Sequence, residues 1–175
     1  DVAMYRAKSR GRQCFALFDE RLHQEALHLL ELESELRHAV TRQEFHPYFQ
    51  PIIDLQTGHI VGYESLLRWH HPTRGVLAPG EFLKVAEDTG LIEQIDWQML
   101  AMTCQAIPAL AHDGRYVTLN VSPRRFHAPD LAQRLLAELD RNQVEHRSIR
   151  IEITEDAMLE NPDQVLATLA QLRDA

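Results

Sequence analysis

Hydrophobic residues between positions 20 and 43 recur with helical spacing, and no glycine or proline interrupts them. The apolar stripe consists of Leu22, Leu29, Leu32, Leu36 and Ala39. This pattern predicts one long amphipathic linker helix over residues 20–43 that joins two modules. Two roles stay open for the stripe: it packs on the domain that follows, or it forms a coiled-coil homodimer, for which three heptads are limited support.

Two strand-like segments follow the predicted helix. They cover Tyr48 to Asp54 and His59 to Leu67, and the turn Leu55-Gln56-Thr57-Gly58 separates them. A short turn that ends in glycine between two such segments predicts an antiparallel hairpin.

The remaining pattern alternates between helix and strand. Helices are predicted from Pro79 to Gly90, from Ile92 to Ala111, from Pro129 to Arg141 and after Asn161-Pro162, and strands from Tyr116 to Val121 and from Ser148 to Ile153. Strands that alternate with helices of these lengths predict right-handed crossovers and a parallel sheet.

The two later strands have one apolar and one polar face. Val117, Leu119 and Val121 alternate with Thr118 and Asn120, and the isoleucines 149, 151 and 153 alternate with Arg150, Glu152 and Thr154. Parallel sheets usually have both faces covered, so polar residues near the carboxyl ends of strands suit the mouth of a (β/α) barrel. The alternative is an open sheet with one face exposed to solvent.

Composition narrows the class of protein. The chain has 175 residues, a formal charge of −8, 45% hydrophobic and 25% charged residues, and a pI near 5.6, which is typical of a soluble globular protein. The acidic balance argues against DNA or RNA as a partner. No apolar stretch approaches the roughly 20 residues that span a bilayer, and Cys14 and Cys104 fit no disulfide or zinc pattern, so a cytoplasmic location is expected.

Three oxygen-bearing residues come at or near the carboxyl ends of predicted strands: Glu64, Asn120 and Glu152. Hard divalent cations such as Mg²⁺ and Mn²⁺ prefer such ligands, although each residue taken alone fits a strand-end or capping role.

Three pairs of adjacent residues are candidates of lower rank. His70-His71 is interpreted as a solvated loop rather than a metal pair, because adjacent side chains on a regular element point in different directions. Arg124-Arg125 is interpreted as a surface salt-bridging pair rather than a phosphate site. Glu155 and Asp156 are expected to act as loop or capping acids.

Four motifs in order resemble the EAL-type cyclic di-GMP phosphodiesterase domains. They are Phe49-Gln50-Pro51-Ile52, Gly62-Tyr63-Glu64-Ser65-Leu66-Leu67-Arg68-Trp69, Leu119-Asn120-Val121-Ser122 and Ile151-Glu152-Ile153-Thr154-Glu155. The resemblance covers about Leu30 to Ala175. A shorter resemblance, over Asp1 to Asp19, is to the last piece of a GGDEF diguanylate cyclase domain.

The resemblance implies the first half of a (β/α)8 TIM-like barrel with an antiparallel first strand, preceded by the linker helix. It also implies hydrolysis of cyclic di-GMP to the linear dinucleotide with two Mg²⁺ or Mn²⁺ ions. Glu64, Asn120 and Glu152 match the catalytic metal ligands of that family. Gln50, Leu66 and Arg68 match its substrate contacts.

Two departures from the family pattern stand out. The signature triplet is Glu64-Ser65-Leu66 rather than Glu-Ala-Leu, which adds a hydroxyl that needs a hydrogen-bond partner. The chain also stops before the family's Asp-Asp-Phe-Gly segment, so we expect a truncated domain that is inactive by itself. There are two alternative functions: a receptor that binds cyclic di-GMP without hydrolysing it, and a regulatory interaction module.

The predicted organisation is a GGDEF-like remnant over residues 1–19, the linker helix over 20–43 and the EAL-like domain over 44–175. This order implies further GGDEF-like and sensory modules upstream, through which the parent protein could be anchored to a membrane.

Overall fold

The computed structural model describes residues 20–153 and 162–174. The predicted GGDEF-like remnant, the capping residue Asn161 and the two acids Glu155 and Asp156 lie outside these residues. The elements are α1 Glu20–Arg42, β1 Phe45–Ile53, β2 Ile60–His71, β3 Gly75–Leu77, α2 Leu83–Thr89, α3 Ile92–Leu110, β4 Tyr116–Asn120, α4 Pro123–Phe126, α5 Leu131–Arg141, β5 Ile149–Glu152 and α6 Pro162–Arg173. Short 3₁₀ turns at Pro79–Glu81 and His146–Ser148 precede α2 and β5.

The predicted long helix is present as α1, and its carboxyl-terminal half packs on the domain that follows. Leu32, Leu36 and Ala39 are at most 3% exposed and share a core with Phe45 of β1. Leu29 is 40% exposed, so the apolar stripe is covered only where the helix reaches this core. The same end is fixed where the Gln98 side chain donates to the carbonyl of residue 40.

The sheet has the predicted topology. Strands β1 and β2 are antiparallel, β2, β4 and β5 are parallel in that order, and β3 pairs antiparallel with the end of β2. The first strand of the sheet is therefore the antiparallel one, as the family resemblance implied.

Strand β2 is longer than predicted, and this changes the position of Glu64. The strand continues to His71, so Glu64 lies in its first half rather than near its carboxyl end. However, β4 accompanies β2 only from Gly62 to Ser65, and the remainder of β2 pairs with β1 and β3. Glu64 is thus at the carboxyl end of the parallel portion of the sheet.

The apolar faces of the strands form the core as the alternation predicted. Val117 and Leu119 are at most 3% exposed and pack with residues of α3 and α5. On the opposite face of β4, Thr118 is buried and Asn120 is exposed. Within residues 20–153 and 162–174, no helix is both long and apolar enough to cross a membrane.

Candidate active site

The register of the sheet places the predicted site residues on one face. Gln50 of β1 lies opposite Glu64 of β2, which lies level with Thr118 of β4. Two residues further along β4, Asn120 lies level with Glu152 of β5. Since side chains alternate along a strand, all five residues point away from the α3 and α5 side of the sheet.

Glu64 and Asn120 are in direct contact. The Asn120 side-chain amide donates a hydrogen bond to Glu64 Oε1 at 3.0 Å. This contact orients the amide so that Asn120 Oδ1 and Glu64 Oε2 keep lone pairs for another partner. Two side chains separated by 56 positions in the sequence are thereby joined at the end of the parallel strands.

Glu152 is held beside this pair by the backbone. Its carbonyl accepts a hydrogen bond from the N–H of Val121 at 3.0 Å, which ties the end of β5 to the end of β4. The Glu152 side chain is exposed on the same face as Asn120.

The donor set of Glu64, Asn120 and Glu152 fits a hard divalent cation. It supplies two carboxylates and one amide oxygen, which are ligands that Mg²⁺ and Mn²⁺ accept. Across the described ranges 20–153 and 162–174, no group of three or more His, Cys, Asp and Glu side chains is arranged to hold a metal. Asn120 would contribute a neutral amide oxygen to such a set, beside the two carboxylates.

Arg68 lies on the same face of β2 as Glu64 and Leu66. Its guanidinium group donates to the carbonyl of Leu67 at 2.8 Å and lies 5.9 Å from the centroid of the Tyr48 ring. These contacts engage only part of a group that has five N–H donors. The remaining donors are suited to the oxygens of a phosphate.

The additional hydroxyl of the signature triplet has a partner. Ser65 Oγ and Thr103 Oγ1 of α3 are 2.8 Å apart, and both residues are buried. Ser65 therefore points to the helix side of β2, opposite to Glu64 and Leu66. The hydroxyl joins β2 to α3 immediately beside the Glu64 position.

Sequence reasoning missed a polar cluster behind the end of β4, in which Asp96 and Ser122 are half-buried and Arg125 is buried. The Ser122 hydroxyl donates to Asp96 Oδ2 at 2.5 Å. Burial raises the pKa of Asp96 to about 6, while the hydrogen bond from Ser122 and the charge of Arg125 act in the opposite direction. An aspartate on an amphipathic helix pattern looks solvent-facing in sequence, so no local signal indicated this burial.

Arg125 corrects the surface interpretation of the Arg124-Arg125 pair. It is 3% exposed, donates to the backbone carbonyl of Glu93 at 3.1 Å and lies 3.2 Å from the carboxylate of the same residue. Its guanidinium group is also 4.0 Å from the centroid of the Trp97 ring. The predicted salt-bridging role is right. The predicted surface location is wrong, because helix α3, with its residue Trp97, covers the side chain.

The two adjacent histidines lie in strand β2 rather than in a loop. His71 is 7% exposed, and its Nε2 lies 3.4 Å from Glu35 Oε1 of α1. His70 is exposed and contacts Tyr48 on the opposite side. The predicted divergence of the two side chains is confirmed, and the predicted loop is wrong because β3 pairs with this end of β2.

A cavity of about 370 Å³ lies at the other end of the strands. Its lining includes His112, Arg115, Glu145 and Arg147, which precede β4 and β5. It is thus separate from the face and the strand ends that carry Glu64, Asn120 and Glu152.

Comparison with known proteins relates this chain to one family. Residues 33–175 match the EAL domain. Over 175 residues the chain is 33% identical to the bifunctional diguanylate cyclase/cyclic di-GMP phosphodiesterase MucR of Pseudomonas aeruginosa, covering 98% of this chain and 26% of MucR. It is 31% identical over 176 residues to the cyclic di-GMP phosphodiesterase NbdA of the same organism, covering 99% of this chain and 22% of NbdA.

A solved structure gives the same result. The phosphodiesterase of P. aeruginosa MucR in complex with c-di-GMP superposes with a TM-score of 0.75 at 32% identity, over 82% of this chain and 60% of that one. The chain thus spans about a quarter of the length of these curated relatives and 60% of the solved domain. The extent of the match, together with the antiparallel first strand and the TIM-barrel-like arrangement, shows that the chain belongs to the EAL domain family.

Proposed function

We propose that this chain is part of a cyclic di-GMP-specific phosphodiesterase that acts in bacterial second-messenger signalling. The reaction is hydrolysis of one 3′,5′-phosphodiester of cyclic di-GMP to the linear dinucleotide. The observation that carries the proposal is the Glu64–Asn120 contact on the face of the sheet that also presents Glu152 and Arg68. The phosphodiesterase names of MucR and NbdA support it.

Glu64, Asn120 and Glu152 are the proposed ligands of Mg²⁺ or Mn²⁺, with two ions in the complete site. These residues would hold the ions, which would supply an activated water and stabilisation of negative charge for hydrolysis of the phosphodiester. The hydrogen bond from Asn120 to Glu64 holds one carboxylate oxygen in place before the cation binds, which reduces the cost of ordering the site.

Gln50, Leu66 and Arg68 are the proposed substrate contacts. Arg68 is four residues beyond Glu64, so its Cα lies about 13 Å further along the extended strand. The Arg68 side chain covers part of that distance. A ligand that contacts both Arg68 and the proposed metal ligands must therefore be elongated and negatively charged. A cyclic dinucleotide with two phosphates meets this requirement, and a guanidinium group binds a phosphate through two parallel hydrogen bonds.

The experiment compares Glu64→Gln with Glu31→Gln in the complete protein. Glu31 is an exposed acid on α1 and provides a matched control with the same change of charge. We expect Glu64→Gln to lose most turnover of cyclic di-GMP with Mg²⁺ or Mn²⁺ and to bind the cation more weakly, while Glu31→Gln retains both. Turnover by Glu64→Gln at the rate of the parent would remove Glu64 from the mechanism.

A receptor that binds cyclic di-GMP without hydrolysis is the second candidate function. The side chains of Gln50 and Arg68 point to the site face independently of any cation, which favours this alternative. Saturable binding of cyclic di-GMP that is lost in Arg68→Ala, without turnover by the parent, would identify a receptor.

Two further proposals concern the modules that the chain connects. Residues 1–19 belong to a GGDEF-like module that connects to sensory modules upstream. The exposed leucines 27, 29 and 30 of α1 contact an upstream module or a second copy of the chain in a cytoplasmic signalling protein.

A further inference from the structure

Two histidines from neighbouring strands stand next to each other beyond Arg68. His46 of β1 lies opposite Arg68 in the antiparallel register, and His70 is two residues further along β2. The two imidazole rings have centroids 4.3 Å apart and planes inclined by 38°. His46 is half-buried and His70 is exposed, so solvent reaches the pair from one side.

The distance between the rings suits coordination of one ion. Zn²⁺ binds imidazole nitrogen at about 2.0–2.1 Å, so two nitrogens on one ion are roughly 3 to 4 Å apart. The two rings lie side by side with centroids 4.3 Å apart, and rotation about their side-chain torsions would be needed to turn one nitrogen of each toward a common ion. Imidazole selects Zn²⁺, Cu²⁺ and Ni²⁺, whereas Mg²⁺ prefers oxygen ligands.

Tyr48 supplies a hydrogen bond that prepares His70 as a ligand. The Tyr48 hydroxyl oxygen and His70 Nε2 are 3.1 Å apart, and the two rings meet edge to face. In the tautomer that carries its proton on Nε2, His70 donates to Tyr48 and keeps the Nδ1 lone pair. Metal-binding histidines commonly donate their second ring N–H to such an acceptor.

The neutral form of His46, which metal binding requires, is favoured by its surroundings. Burial lowers the pKa of His46, and the nearby His70 lowers it further. Protons therefore compete less with a cation for His46 than they would for an isolated histidine.

We propose that His46 and His70 form a binding site for one divalent transition-metal ion of the Zn²⁺, Cu²⁺ or Ni²⁺ class, with Tyr48 fixing the orientation of His70 and water completing the coordination. The site is separate from the oxygen ligands Glu64, Asn120 and Glu152. Binding of a metal ion by these two histidines does not depend on whether the protein hydrolyses cyclic di-GMP. An ion held here lies beside Arg68 and adds positive charge at the rim of the proposed substrate site.

The test is a calorimetric titration of the full chain with Zn²⁺ in the presence of excess Mg²⁺, which competes for the oxygen-ligand sites. We expect one Zn²⁺ site that disappears in both His46→Gln and His70→Asn. Tyr48→Phe should weaken Zn²⁺ binding by roughly tenfold, the effect usual for loss of a hydrogen bond to a ligand. The control is His59→Gln, which removes an exposed histidine from the β1–β2 turn and should leave Zn²⁺ binding unchanged.

A second measurement needs no variant. Cu²⁺ added to the parent chain should give an electron paramagnetic resonance spectrum with coupling to two imidazole nitrogens. Zn²⁺ binding that survives in His46→Gln and His70→Asn, absence of Zn²⁺ binding to the parent, or a Cu²⁺ spectrum without nitrogen coupling would each overturn the proposal and leave the two rings as an aromatic contact.

Discussion

The buried hydrogen bond between Ser65 and Thr103 permits a quantitative test of how β2 is held against α3. The two hydroxyl oxygens are 2.8 Å apart, and the residues are 3% and 0% exposed. Water therefore cannot replace either partner. Removal of one hydroxyl takes away the buried partner of the other, whereas removal of both leaves an apolar contact.

The expected losses differ between the two single variants. An unpaired buried hydroxyl costs about 1–3 kcal/mol of the free energy of unfolding. Ser65→Ala should fall at the lower end, because the Thr103 hydroxyl left behind can donate to the carbonyl of residue 99 in the preceding helical turn. Thr103→Val should fall at the upper end, since Ser65 lies in a strand whose backbone groups are already paired.

The double variant Ser65→Ala/Thr103→Val should lose less stability than the sum of the single losses, with a coupling of about 1 kcal/mol. Urea unfolding followed by far-ultraviolet circular dichroism measures all four proteins. For a domain of this size, each 1 kcal/mol corresponds to about 2–4 °C in Tm. Single losses that add to within about 0.3 kcal/mol would refute a direct interaction between the hydroxyls.

Three other substitutions test the site face and its support. Thr118→Val should leave the free energy of unfolding unchanged or raise it by up to about 1 kcal/mol, because the buried Thr118 hydroxyl has no hydrogen-bond partner among the described residues; a loss above that amount would contradict this. Burial raises the pKa of Asp96 from 3.8 to about 6, so the folded state binds this proton more tightly and stability falls as pH rises between these values. Asp96→Asn should remove this pH dependence, which amounts to about 2–3 kcal/mol of the free energy of unfolding across the interval. An unchanged pH dependence of the free energy of unfolding would contradict the assignment. A Cβ at Gly62 would lie 2.7 Å from the Tyr116 carbonyl oxygen, whereas one at Gly80 meets nothing within 4 Å; Gly62→Ala should therefore cost about 2 kcal/mol or more, and equal melting temperatures of the two alanine variants would contradict the steric reason.

Sequence alone predicted the elements whose pattern is local. The hairpin and the strands at Tyr116 and Ile149 were predictable because polar and apolar side chains alternate there and only one face can join the core. The Glu64–Asn120 contact was predictable as a convergence, since the ends of parallel strands meet at one edge of a sheet. Its hydrogen-bond geometry depends on the relative positions of β2 and β4, which the sequence pattern does not specify.

The features that sequence missed depend on tertiary partners. The true length of β2 is set by β3, a three-residue strand that is too short to give a periodic signal. The burial of Arg125 depends on Trp97, an aromatic ring from another element. Likewise, the pKa of Asp96 is raised by the packing around α3, which the residues next to it in the sequence do not specify.

The orientation of Glu64 toward the site is fixed by its neighbours on both sides. A shift of β2 by one residue would turn every side chain to the opposite face and direct Glu64 into the hydrophobic core. Gly62 opposes such a shift because only a residue without a Cβ fits against Tyr116. Ser65 opposes it through the buried hydrogen bond to Thr103. The residues around Glu64 therefore act by setting the register of β2, so their substitution should misplace the carboxylate without changing its chemistry.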